Sequence, residues 1–279
     1  MGLALGMLPW AGGCATIWSQ RLLLPDQHTV VRGQLVFHSD FPLAANHRLL
    51  EELTARRADL REQLSLAGSD EPIHVFLFGS AEEFKQFVRL RHPEFPQRRA
   101  FFLETDTRLQ VYAQWGDRVA EDLRHEVTHG YLHAAIPNIP LWLDEGLAEY
   151  CEAPRGQHGL NRSHLEHIGE QIRQGLWRPD LARLESLDPS AEMSQADYAE
   201  AWAWVHFLLE SRPERAAALR EYLAELRGKD GAEPLSSRLA RLESDPREAF
   251  AGHLRALAPG PAPLSRDAAS AARDAPLRR

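Results

Sequence analysis

Apolar and polar positions alternate from Thr29 to His38, with Val31, Leu35, Val36 and Phe37 carrying the apolar side. Ser39, Asp40 and Pro42 close the stretch, so the pattern predicts a strand and a turn. The spacing then changes: Leu49, Leu50, Leu53, Ala58, Leu60 and Leu64 recur near a helical period through a charged segment that ends before Gly68. Ile73 to Phe78, set between Pro72 and Gly79, fits a buried strand, and Ser80 is placed to cap a helix carrying Phe84, Phe87 and Val88. Ala100 to Leu103 and Leu109 to Ala113 read as two more strands joined by the polar turn Glu104 to Arg108. After Gly116 only helical periods remain, from Asp117 to about Ala134, Leu141 to Cys151, Ser163 to Gln174, Asp197 to Glu210, Pro213 to Arg227 and Pro246 to Leu257.

The class this predicts is α+β. A mixed α/β subdomain with a small sheet occupies residues 26–116, and a helical subdomain follows over 117–257. The junction of two such parts is a common place for a ligand site. The ends differ from both. Gly2 to Gln20 carries no charge, and Leu3, Ala4, Leu5, Met7 and Leu8 resemble the apolar part of an export signal, so residues 1–25 are expected to be a leader. Its close, Ala11, Gly12, Gly13, Cys14, resembles the processing box of bacterial lipoproteins, which implies export to the cell envelope and a lipid anchor at Cys14 as the one contact with a membrane. Residues 258–279 mix Pro, Ala and Arg without an aromatic residue and are expected to be a disordered tail.

Composition narrows the chemistry. With 32 Lys plus Arg against 40 Asp plus Glu, the net charge of -8 argues against a sequence-blind nucleic-acid binder. Two cysteines, Cys14 and Cys151, form no Cys-x-x-Cys pair and exclude cysteine zinc sites and thioredoxin chemistry.

The candidate chemistry lies in His125, Glu126, Val127, Thr128, His129. A helix turns about 100° per residue and brings positions i and i+4 to one face, so His125 and His129 can share one metal ion. Val119, Leu123, Val127 and Tyr131 form an apolar stripe beside them. After the turn Pro137, Asn138, Ile139, Pro140 comes a second helical segment, Trp142 to Tyr150, whose Glu145 can supply a third ligand. Two histidines and a carboxylate with a fourth position open to water suit catalytic zinc, one per chain. Glu126, next to the first ligand but turned from it, is then placed to act as general base. His133, one turn further on, has rotated about 80° from His125 and reads as a surface or supporting residue.

His-Glu-x-x-His followed by Trp-Leu-x-Glu-Gly-x-Ala-x-Tyr resembles the gluzincin metallopeptidases, the group of thermolysin and aminopeptidase N, and most of all the peptidase-MA-like family. The resemblance implies a zincin-like fold with the active-site helix at the junction, and hydrolysis of peptide bonds in a peptide or protein substrate by Glu-assisted attack of water. It selects Glu145 as the third ligand and gives Glu149 the task of orienting a metal-bound histidine. Tyr198, in the helical stripe Ala201, Trp202, Val205, His206, Leu209, matches the downstream tyrosine that donates to the oxyanion in aminopeptidase N relatives. The strand Leu109 to Ala113 is the candidate edge strand against which an extended peptide would pair. The Gly-x-Met-Glu-Asn motif that holds a substrate amine is absent, which leaves endopeptidase and exopeptidase action both open. A zinc-binding scaffold of the same fold without turnover is the alternative reading, and retention of Glu126 argues against it.

Overall fold

The computed structural model describes residues 24–95, 98–228 and 231–257. Residues 1–23 of the expected leader, Cys14 among them, and the tail from 258 onward lie outside the described residues. Within them the chain is α+β, with a five-stranded mixed sheet and ten helices.

The stretch expected to be one strand is a hairpin of β1 (His28–Arg32) and β2 (Leu35–Ser39), paired antiparallel. Gly33 takes a φ of 58° at the turn, a conformation open to glycine at little steric cost, so the apolar alternation runs on while the chain reverses. α1 (Arg48–Leu64) then leads to β3 (Ile73–Phe78), which lies parallel to β2. α2 (Ala81–Arg91) starts where the Ser80 side chain accepts the Glu83 N–H. β4 (Ala100–Thr105) and β5 (Arg108–Gln114) form a second hairpin, and β5 pairs parallel with β3, which gives the order β1-β2-β3-β5-β4.

This order corrects the expected edge strand. Leu109 to Ala113 lies in β5, paired on both sides and buried throughout, Gln110 included, as a central strand covered on both faces demands. The edge is β4, whose burial fades toward Glu104 and Thr105.

The helices that follow are α3 (Val119–His133), α4 (Leu141–Glu152), α5 (Arg162–Arg173), α6 (Leu181–Glu185), α7 (Gln195–Glu210), α8 (Pro213–Leu226), α9 (Leu235–Leu242) and α10 (Pro246–Leu257). α6 and α9 were not expected, because neither spans enough turns for a period to show. A capping box of Ser194 and Asp197 starts α7. None of these helices is long and apolar enough to cross a membrane.

One buried apolar cluster runs from Leu35, Val75 and Val111 of the sheet through α1 and α3 to Trp202 and Trp204 of α7, so the segments 26–116 and 117–257 share a core. A smaller aromatic cluster, Phe76, Phe78, Phe84, Phe87, Phe101 and Tyr112, fills the opposite sheet face under α2. Two glycines set how deeply the central helices seat. A Cβ on Gly130 would stand 2.9 Å from Ile73 Cγ2, and one on Gly146 would stand 2.7 Å from the Ala201 carbonyl oxygen. α3 therefore rests on β3, and α4 on α7, at distances no larger residue allows. Gly130 follows His129 and Gly146 follows Glu145, so the close approaches that fix the helices also fix the candidate ligands.

Candidate metal centre

His125 and His129 stand one turn apart on α3, with ring centroids 4.8 Å apart and planes at 72°. Both are buried. α4 brings Glu145 between them: its Oε2 lies 3.4 Å from His125 Nε2 and 3.7 Å from His129 Nε2. That oxygen is buried and accepts no hydrogen bond among the described residues. Tetrahedral bonds of about 2.0–2.2 Å separate ligand atoms by about 3.3–3.6 Å, so the oxygen stands at or just beyond ligand–ligand separation from each nitrogen.

The far side of each ring is held by a different carboxylate. His125 Nδ1 lies 3.1 Å from Glu152 Oε1. His129 Nδ1 lies 2.9 Å from Asp144 Oδ2, in ion-pair range but off line for a hydrogen bond. An ionised carboxylate can only accept, so each Nδ1 carries a proton, which leaves Nε2 as the atom each ring can offer to a cation. Asp144 Oδ2 also takes His133 Nε2 at 3.0 Å, and His133 Nδ1 meets Glu104 Oε2 of β4 at 2.6 Å. The Phe102 ring of the same strand stacks on His129 at 5.9 Å.

Three overlapping groups of buried and half-buried side chains could hold a metal ion: His125 with Glu126 and His129; His129 with His133 and Asp144; and His125 with Glu149 and Glu152; Glu145 belongs to none of the three. The second and third draw on carboxylates that already sit against the Nδ1 atoms. The first shares its two histidines with Glu145, whose Oε2 faces both Nε2 atoms and has no hydrogen-bond partner among the described residues.

The electrostatics agree. Burial pulls the His125 pKa down, but Glu145 and Glu152 outweigh it and raise it well above the ordinary histidine value. His129 is raised against burial by Asp144, and His133 is raised to about 9 by Asp144 and Glu104. Burial pushes the Asp144 carboxyl up, yet His129 and His133 hold it well below the usual carboxylate range. Without an ion, the pocket compensates its carboxylates with protons on imidazole; a bound cation supplies that charge instead.

The remaining expected residues gather at a cleft of about 860 Å³. Glu126, His125 and Tyr198 line it together. Burial and the Glu145 carboxylate raise the Tyr198 pKa above its ordinary value, which keeps the hydroxyl a donor. Glu149 also lines the cleft, but its Oε2 accepts from His164 Nε2 at 2.7 Å and from Asn161 Nδ2 at 3.5 Å. Asn161 also donates to Glu152 Oε2 at 3.2 Å, so the residue one turn past Glu149 makes the contact to His125. Glu149 and Glu152 form a close acidic pair: burial and the Glu149 charge raise Glu152, while His164 keeps Glu149 low against its burial.

Sequence reasoning missed Asp144, Glu152, Asn161, His164 and Arg98. Asp144 had a signal, since it directly precedes the candidate third ligand Glu145. Glu152 closes α4, where an acid reads as a solvated helix end, and only the fold brings it 27 residues back to His125.

Residues 120–229 match the model of a family described as Protein of unknown function (DUF1570). The matched span contains His125, Glu126, His129, Glu145, Glu149 and Tyr198, and leaves out the sheet. No curated protein matches the chain.

Proposed function

We propose that the protein is a zinc-dependent metallopeptidase of the gluzincin type, with a zincin-like arrangement of sheet and active-site helix. The observation that carries the reading is the approach of two imidazole Nε2 atoms to the unpartnered, buried Oε2 of Glu145, with Glu126 beside them at an open cleft. His125, His129 and Glu145 would hold the ion; two nitrogens and one carboxylate oxygen are the donor set of catalytic zinc. When bound, the ion supplies Lewis acidity, polarising a scissile carbonyl and acidifying water.

The rest falls to the chain's own residues. Glu126 takes a proton from the attacking water and returns it to the leaving amine nitrogen. The Tyr198 hydroxyl, kept protonated, donates to the oxygen on which charge develops. Glu152 and Asp144 fix the rotation of the two imidazoles. β4 offers a free edge: Gln114 N–H donates to the Arg99 carbonyl, so the register leaves the backbone groups of Ala100, Phe102 and Glu104 pointing away from β5. Ala100 lines the cleft, and an extended peptide pairing there lies alongside the site.

The test is metal content by elemental analysis, paired with hydrolysis of a mixed peptide library by wild type and Glu126→Gln. About one zinc per chain, with cleavage by wild type alone, is expected. Zinc without cleavage would move the assignment to a zinc-binding scaffold, and an absence of zinc would undo it.

A further inference from the structure

We propose that Arg98 binds a carboxylate of the substrate next to the scissile bond, so that the cleft selects peptides carrying a negative charge there. The inference rests on the peptidase reading and names its substrate class. Its basis is how the arginines of the cleft are paired. Arg99 grips Asp122 through two hydrogen bonds of 3.0 and 2.6 Å, Arg118 pairs with Glu121, and Arg124 holds Glu52 at 2.8 Å. Arg98 has no carboxylate in ion-pair range among the described residues, although it lines the same cleft. Arg162 at the start of α5 also lacks one; both side chains are exposed, and Arg98 is the one set beside Tyr198 and Glu126. Arg98 lines the cleft together with Tyr198 and Glu126, two of the residues assigned to the reaction, and feels the charge of Glu145 behind them.

Charge counting shows what is missing. With both imidazoles neutral, Glu126 and Glu145 carry two negative charges and a divalent ion cancels them. The other acids of the cleft are engaged elsewhere, Glu149 with His164, Glu152 with His125, Asp122 with Arg99 and Glu121 with Arg118, so the Arg98 guanidinium is left with no carboxylate in ion-pair range among the described residues. A neutral peptide leaves it so, whereas a carboxylate meets it with charge-assisted and geometrically matched hydrogen bonds. Arg98 also stands two residues before the start of β4, so a peptide paired along that edge reaches it at one end. The carboxylate can be the α-carboxylate of a chain end or the side chain of Asp or Glu.

Equilibrium binding to zinc-loaded Glu126→Gln separates these sources. N-acetylated alanine hexapeptides are compared with a free or an amidated C-terminus, and with Asp or Asn at a central position. Loss of the recognised carboxylate is expected to weaken binding about tenfold. Adding Arg98→Gln should abolish that difference, and Arg98→Lys should restore part of it. A preference that follows the C-terminus identifies a chain end; one that follows Asp identifies a side chain. Equal binding of all four peptides, an equal loss for all four in Arg98→Gln, or no binding at all overturns the proposal. Wild-type hydrolysis is scored separately: carboxylate-selective binding without cleavage contradicts the peptidase reading and leaves the role of Arg98 in anion binding standing.

Discussion

His125 and His129 on α3 face carboxylates on both sides of their rings, whereas His206 on α7 and His253 on α10 face each other, Nδ1 to Nε2 at 2.9 Å. Around the first pair, Glu145, Glu152 and Asp144 raise the imidazole pKa values against burial. Around the second pair stand the rings of Trp202 and Phe207, and burial together with His253 lowers His206 to about 4. Both regions are buried and rich in histidine, yet the first gathers charge for a cation and the second excludes it. The carboxylates, more than the histidines, mark the candidate metal centre.

The largest effect that could break this comparison is loss of a ligand. His125→Ala and Glu145→Ala should lose the metal altogether by equilibrium dialysis, well beyond the ~10–100-fold that outer partners contribute. His206→Leu should keep full stoichiometry; metal loss in His206→Leu, or loss in Glu149→Ala in place of Glu145→Ala, would overturn the assignment. Next is Glu126→Gln, expected to hold the ion while hydrolysis falls by ~10²–10⁴-fold, as for removal of a general base. Equal turnover in the variant would remove Glu126 from the mechanism.

Asp144→Asn and Glu152→Gln sharpen the picture. Each should weaken metal affinity by ~10–100-fold, read by competition with a chelator, because each unlocks one imidazole. Glu149→Gln should cost less, since Glu149 bonds to His164 and Asn161.

The smallest effects are opposite slopes of stability with pH in the metal-free protein. His206 titrates at about 4 when folded against 6.5 ordinarily, so the unfolded chain binds the proton first and stability falls as pH drops from 6.5 toward 4. The full shift corresponds to roughly 3 kcal/mol at most. His133, raised to about 9, contributes stability that is complete below pH 6.5 and is lost as pH rises through 9. Thermal unfolding of His206→Leu and His133→Asn against pH should each erase one slope; an unchanged profile in both would refute the contrast.

Much of this site was legible in the sequence. Helical spacing alone put His125 and His129 on one face, and the resemblance to the gluzincins selected Glu145. Most elements were legible too, because their apolar periods run for several turns. What stayed hidden depends on contacts far apart in sequence: Glu152 reaching back to His125, Glu104 of β4 closing on His133, and Arg98 arriving beside Tyr198. The first hairpin was hidden for a local reason, since alternation continued across Gly33. The edge strand was misplaced because β5 crosses inside its own hairpin partner to pair with β3, a choice that burial on both faces decides.

The most direct test of the central claim is the position of the ion, from anomalous diffraction at the zinc edge of crystals of the metal-loaded protein. One peak bonded to His125 Nε2, His129 Nε2 and Glu145 Oε2 is predicted. A peak among His129, His133 and Asp144, or among His125, Glu149 and Glu152, would contradict it.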